Sequence, residues 1–340
     1  MQPLKDIIVL EMAGLAPAPF AGMILTDFGA KVIRVDKITS INTDVLSRNK
    51  RSVALNLKDP KAKQVFLKLC EKSDVLLDPF RPGVMESLGL GPQVVSKVNP
   101  KLIYARLTGY GQSGSTSAGH DINYLAMSAD FAGGALVCVV GILTALLERV
   151  HSGKGQIVDT NLTLGTAYLA TFPFLMKKYG LSWETERGTN LLDGGAHFYE
   201  TYKTKDSLYM AVGALEPKFY ACLLDKLSLD KQEYMPKQYD KEDWPLMKQK
   251  FRNIFLQRTQ DEWAAIFVGS DACVTPVLSF QDNAPQPAPI LSRTPAQLVQ
   301  SPTFLQPGKH SIEVLKEFGI SSNEIQLLLS TQALKNNASL

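Results

Sequence analysis

The sequence predicts an α/β protein, an open parallel sheet in a large domain joined to a smaller α+β domain. Three observations predict it. Wholly apolar runs of strand length recur through the first hundred residues, each followed by a turn and a helical pattern. From about Asp121 to Tyr179 the pattern turns helical. After residue 187 a polar, Gly-bearing stretch gives way to short strands and then to Lys- and Glu-rich helical patterns.

Taken in order, Asp6 to Met12 holds the run Ile7-Ile8-Val9-Leu10 and reads as a buried strand. Gly14 to Pro19 makes a turn whose prolines suit a helix start, and Phe20 to Phe28 is helical up to the stop signal Gly29. Lys31 to Val35 is the second strand. Strand, helix and strand within about thirty residues form a Rossmann-like βαβ unit, which implies parallel pairing. The pattern repeats with a strand at Ser52–Leu57, a helix at Pro60–Glu71 and a strand at Asp74–Leu77. A short helix begins at Gly83, and a further strand spans Lys101–Leu107. Ligands of such sheets collect at the carboxyl ends of the strands. The later helical region is broken at Ser152-Gly153-Lys154-Gly155 and suits a covering or dimer layer. Short strands follow around Phe198–Tyr202 and Leu208–Val212. Asp282 to Pro307, rich in Pro and Gln, reads as a linker or surface excursion, and His310 to Leu329 as helix. The expected organisation is a large domain over 1–186, a small domain over 187–304, and a segment 305–340 returning to the large domain.

Composition narrows the function. The chain has 340 residues, 45% apolar and 20% charged, which suits two packed domains and argues against disorder. A net charge of +3 is too even to imply a nucleic-acid or membrane surface. The longest apolar stretch, Phe131 to Leu147, sits at the lower limit for a membrane span and reads as a buried core helix. Cys70, Cys138, Cys222 and Cys273 show no metal spacing and read as buried thiols. Four scattered histidines make a zinc site improbable.

Several residues stand out chemically. Gly109-Tyr110-Gly111-Gln112-Ser113-Gly114 spells GxGxxG after a strand, but no helix begins at once, so a loop beside a pocket is the better account. His120 follows that loop at the head of a helical pattern, where the helix dipole favours a neutral, basic imidazole. A lone His is usually structural; this placement points toward function. Asp130, in Ala129-Asp130-Phe131-Ala132-Gly133-Gly134, is costly inside an apolar helix unless it is paired, functional or a cap. Glu216 precedes Pro217 and reads equally well as a helix cap. Arg34, Lys37, Lys58 and Arg81 all fall at strand ends, an arrangement suited to the phosphates of a nucleotide-like ligand.

Gly14-Leu15-Ala16-Pro17, Asp27 to Asp36 and Arg81-Pro82-Gly83-Val84 resemble the class III coenzyme A transferase superfamily. Gly119 to Tyr124, Asp193-Gly194-Gly195-Ala196 and Asp271 to Val277 narrow the resemblance to its α-methylacyl-CoA racemases. It covers nearly the whole chain. It implies the class III fold, an interlocked homodimer, and inversion of the 2-methyl centre of branched acyl-CoA thioesters. No cofactor or metal is implied, coenzyme A being part of the substrate. Peroxisome and mitochondrion are the implied compartments, with Ala338-Ser339-Leu340 as a weak address. Residue by residue, His120 matches the catalytic base, Asp130 the opposing acid, and Glu216 a carboxylate brought by the partner subunit. Lys37 matches a CoA-binding Arg, with the charge kept but not the forked geometry. Leu55, Asn56, Leu57 and Lys58 match segments lining CoA and thioester, as do Gly119, Asp121, Ile122, Asn123 and Tyr124; Arg81 lies in the shared Arg-Pro-Gly motif. His197 stands where those relatives usually have Pro and reads as incidental.

The sequence also departs from that pattern. The resembled enzymes place His and Asp about thirty residues apart, whereas His120 and Asp130 are ten apart. A continuous helix would separate ten residues by about 15 Å and turn them roughly 80° apart. Residues 127–129 read as the scar of a missing loop and half-helix, and a second gap falls near Gln281–Asn283. Either the helix breaks near Ser128 and both side chains still reach one pocket, or the chain binds CoA esters without turnover. A CoA transferase using Asp130 as nucleophile is a further alternative.

Overall fold

The computed structural model describes residues 2–39, 44–113, 128–181, 183–279, 286–296 and 304–337. The chain divides into two compact units, Met1–Leu169 with Pro285–Leu340, and Ala170–Ala284. Both crossing points lie earlier in the chain than residues 186 and 304.

The larger unit is built on seven strands: β1 (Ile8–Met12), β2 (Lys31–Asp36), β3 (Arg51–Leu55), β4 (Val75–Asp78), β5 (Ile103–Thr108), β6 (Ile157–Asn161) and, after the small unit's strands, β10 (Leu334–Lys335). Their order is β10-β3-β2-β1-β4-β5-β6, with every pairing parallel except the antiparallel β10–β3. Both faces are covered, which is why the inner strands are continuous apolar runs. On one face Leu10, Ile33, Val53, Leu55 and Leu76 pack against α2 (Pro60–Glu71), α12 (Ser311–Glu317) and α13 (Ser322–Ser330). On the other, Val9, Val32, Val75, Leu77, Ile103 and Ala105 pack against α1 (Pro17–Asp27) and α5 (Val137–Ser152). Helix α2 starts where Asp59 accepts from the amides of Lys61 and Ala62, with Pro60 at its first position. Its buried residues Ala62, Val65, Phe66, Leu69 and Cys70 form one helical stripe. Short helices α3 (Val84–Ser87) and α4 (Pro92–Val98) follow β4.

The second unit has a three-stranded antiparallel sheet, β7 (Tyr199–Lys203), β8 (Tyr209–Gly213) and β9 (Val274–Pro276). It packs on α8 (Pro217–Lys226), α9 (Lys231–Tyr234), α10 (Trp244–Phe255) and α11 (Gln260–Phe267) through an aromatic core that includes Phe198, Tyr202, Tyr220, Phe251 and Phe255. Helices α6 (Leu162–Leu169) and α7 (Thr171–Lys178) end the first unit's segment and begin the second's.

Four expectations change. A strand, β6, interrupts the expected helical region after the left-handed Gly153 ends α5. As an edge strand carrying Asp159, Thr160 and Asn161 it has no apolar run to betray it. The apolar stretch near 131–147 lies in the helix Ala129–Ser152, the one helix among the described residues long and apolar enough to cross a membrane. It is not a core helix all round. Cys138, Val139, Ile142, Ala145 and Leu146 are buried, while Leu136, Val140, Leu143, Leu147 and Val150 form an exposed stripe. Cys70 and Cys138 are buried thiols as expected, but Cys222 is half-buried and Cys273 is exposed. The end of the Pro/Gln-rich stretch is also docked: the Leu305 amide donates to Ser47 Oγ at 3.3 Å, and the Gly308 amide to Ser52 Oγ at 2.7 Å.

Candidate functional site

The strand order reverses direction between β1 and β4, and such a switch point leaves a crevice at the carboxyl edge of a parallel sheet. A cleft of about 970 Å³ lies there. Met12 and Ala13 from β1, residues 35–39 from β2 and 55–58 from β3 line it, together with Pro79, Phe80 and Arg81 after β4 and the outer face of α3. Lys37, Leu55, Asn56, Leu57, Lys58 and Arg81, six of the residues singled out from sequence, are thus brought to one cleft. Lys37, Lys58 and Arg81 are exposed cations against walls of Met12, Val35, Leu57, Phe80 and Leu88. Apolar walls with a few separated cations suit a ligand with a flat apolar body and phosphate groups.

Arg34, expected beside these cations, is not among them. Its side chain is 6% exposed, with Nε 3.2 Å from Asp36 Oδ1 and Nη1 2.7 Å from Asp44 Oδ2. Strand alternation puts Arg34 and Asp36 on the same face, inside the protein. Ser52 Oγ donates to Asp36 at 2.7 Å, and burial pushes the Asp36 carboxyl up against the pull of Arg34. At the end of β4, Asp78 Oδ1 accepts from the Phe80 amide at 2.9 Å and so shapes the turn that presents Phe80 and Arg81. Burial pushes the Asp78 carboxyl up to about 6. The apolar walls Met12, Phe80, Val84 and Leu88 were not singled out from sequence. Position at the ends of β1 and β4 was the signal that could have found them.

His120 and its neighbours Gly119, Asp121, Ile122, Asn123 and Tyr124 lie outside the described residues. Asp130 sits in a helix described from Ser128, wound as a π-helix over Ala129–Leu136 before α5. Wide π turns are rare and are frequent at functional sites. The capping alternative fails, because Ser128 and Ala129 ahead of Asp130 are already helical. Phe131 fixes this turn on α1 through an edge-to-face contact with Phe20, ring centroids 5.1 Å apart. Helix α6 closes on the other side so tightly that a Cβ at Gly165 would stand 1.8 Å from the Gly133 carbonyl oxygen. Gly165→Ala is therefore expected to cost roughly 1–3 kcal/mol through overpacking. Urea unfolding would measure that cost, and faster amide exchange confined to residues 129–136 would show that the π-helix moves.

Glu216 occupies the N-cap position of α8 in the second unit, yet it makes no capping hydrogen bond and is exposed. Its carboxylate is one cause of the raised Cys273 thiol, the larger being desolvation. Asp193 instead organises its own loop, accepting from the amides of Gly188 at 3.0 Å and Asn190 at 2.8 Å. Among the described residues no cluster of His, Cys, Asp and Glu could hold a metal ion.

Comparison with known proteins agrees with this architecture. The family described as CoA-transferase family III matches residues 4–132 and 124–297. The alpha-methylacyl-CoA racemases of Mus musculus and Homo sapiens are each 47% identical to this chain, over 378 and 380 aligned positions, with 98% of both chains covered. A crystal structure of a CAIB/BAIF family protein from Brucella suis superposes with a TM-score of 0.76 at 20% identity, covering 93% of this chain and 99% of that one. Against 340 residues, 378 aligned positions leave at least 38 without a counterpart. The two stretches of the family match overlap at 124–132, a segment that follows His120 and contains Asp130.

Proposed function

The chain belongs to CoA-transferase family III, and from that premise we propose that it racemises 2-methyl-branched acyl-CoA thioesters. The observation that carries the proposal is near-full-length 47% identity to racemases in a chain whose switch-point cleft presents Lys37, Lys58 and Arg81. The cleft takes the nucleotide end of the thioester, with the phosphates against these cations. Coenzyme A is part of the substrate, and the proposal invokes no further cofactor.

A thioester α-proton is too weakly acidic for an unaided His or Asp to remove. The enolate oxygen must therefore meet preorganised donors such as backbone N–H groups. Inversion then needs a base on one face of the α-carbon and an acid on the other. His120 and Asp130 take these roles and exchange them for the two enantiomers, while Glu216 comes from a second copy. A homodimer belongs to the same proposal: the exposed apolar stripe Leu136, Val140, Leu143, Leu147 and Val150 suits a helix partner. The compartments, peroxisome and mitochondrion, rest on the resemblance alone.

One observation favours a second reading, a protein that binds acyl-CoA without turning it over. The alignment with the racemases leaves at least 38 of its positions without a counterpart in this chain, and the family match is split into two stretches that overlap at 124–132, around Asp130. α-Proton exchange of a 2-methylacyl-CoA in deuterated water decides between them. Exchange with inversion is expected, falling at least about 10²-fold in Asp130→Asn and in His120→Ala. CoA-ester binding without exchange would establish the second reading, and transfer of CoA to a free carboxylate would establish a transferase.

A further inference from the structure

Arg106 is an unusual residue for its place. It lies in β5, flanked on both sides by β4 and β6, and its side chain is only 11% exposed. A buried guanidinium is costly unless each end is used. Here Nη2 donates to Glu86 Oε1 on α3, while Nη1 donates to Gln112 Oε1 at 2.6 Å. The guanidinium also lies over the ring of Tyr104, 5.5 Å from its centroid, and Tyr104 is held by hydrogen bonds to Asp78 and Leu90.

The two partners of Arg106 belong to different parts of the site. Helix α3 and the residue that ends it carry Val84, Ser87 and Leu88, one wall of the cleft. Gln112 lies in the glycine-bearing loop 109–113, at whose end the segment carrying His120 begins. That loop is fixed on its far side as well. The Thr163 amide and hydroxyl both donate to the Gly109 carbonyl, at 3.2 and 3.0 Å, and the Gly111 amide donates to Thr108 Oγ1. Thr163 lies in the first turn of α6, the helix whose Gly165 abuts the turn holding Asp130.

We propose that Arg106 is a positioning residue that ties the cleft wall to the loop leading to His120, so that a nucleotide seated in the cleft sets the geometry at the reacting end. The inference rests on the racemase reading above. Binding energy from a remote, non-reacting part of a substrate raises the rate only when it is relayed to the reacting centre. The Glu86–Arg106–Gln112 bridge is a rigid relay for that purpose, since both hydrogen bonds leave one planar group.

The test compares a 2-methylacyl-CoA with the matching pantetheine thioester, which lacks the nucleotide, as substrates for α-proton exchange at saturation. In the wild type the CoA ester is expected to exchange faster. In Arg106→Met that advantage should fall at least tenfold, with the pantetheine thioester little changed. Glu86→Gln, altered at a half-exposed carboxylate, should lose part of the advantage and carries the test if Arg106→Met does not fold. A merely structural role would slow both substrates alike and leave their ratio as in the wild type, overturning the inference. No exchange by the wild-type protein with either substrate would instead overturn the racemase reading.

Discussion

Lys50→Met is expected to cost about 3–5 kcal/mol of unfolding free energy, because it strips the counter-ion from a fully buried carboxylate. Lys50 and Glu11 side chains are both 0% exposed. The ammonium lies 2.9 and 2.7 Å from the two Glu11 oxygens and donates to the Pro19 carbonyl at 2.8 Å. Glu11 sits near the end of β1 under α1, where a Cβ on Gly22 would stand 1.7 Å from Oε2, so the helix backbone packs directly on the carboxylate. Burial pushes the Glu11 carboxyl up, and Lys50 supplies the main opposing pull. Without Lys50 the group takes up a proton in the folded state. A raised folded pKa destabilises above that pKa, so the deficit of Lys50→Met should shrink as pH falls from 7 toward 5. The double variant Glu11→Gln/Lys50→Met removes both charges and should recover much of the loss. Urea unfolding followed by far-UV circular dichroism measures all three. A loss below about 1 kcal/mol in the single variant would mean that the pair is hydrated in solution.

This pair also shows where sequence reading stops. The interior strands were legible because a sheet covered on both faces needs continuous apolar runs, and Ile7 to Leu10 is such a run. Helix α2 was legible to the residue, since Asp59-Pro60 states its start and its apolar stripe states its extent. Lys37, Lys58 and Arg81 were legible because the carboxyl end of a parallel strand is a known ligand position. Arg34 looked the same by that criterion, and only its partners Asp36 and Asp44 show that it points inward. Glu11 and Lys50 are 39 residues apart, and no local pattern announces a pair made by strand order. The edge strands β6, β9 and β10 are too short or too polar to carry a period. The cleft's apolar walls resemble ordinary core until the topology opens a crevice between β1 and β4.

His197 makes the second unit acid-sensitive. The side chain is 0% exposed in an aromatic core, with Nε2 2.8 Å from the Tyr220 hydroxyl and ring contacts to Phe198, Tyr220 and Phe251. Its Nδ1 has no hydrogen-bond partner among the described residues. Desolvation alone lowers its pKa from 6.5 to about 3. The folded value lies below the unfolded one, so the stability it contributes is complete above pH 6.5 and drains as pH falls toward 3. The expected loss is about 2 kcal/mol by pH 5, with one proton taken up on unfolding. Asp78, raised to about 6 in the other unit, works in the opposite sense and must be kept out of the measurement. Fluorescence does so, because Trp183, Trp244 and Trp263, all the tryptophans of the chain, lie in the second unit. Tryptophan-detected urea unfolding should therefore weaken between pH 7 and 5 in the wild type. It should stay nearly level in His197→Gln, which keeps a polar group toward Tyr220 but cannot titrate. Equal slopes in the two proteins would show that the imidazole is solvated and that His197 is as incidental as its position in the sequence suggests.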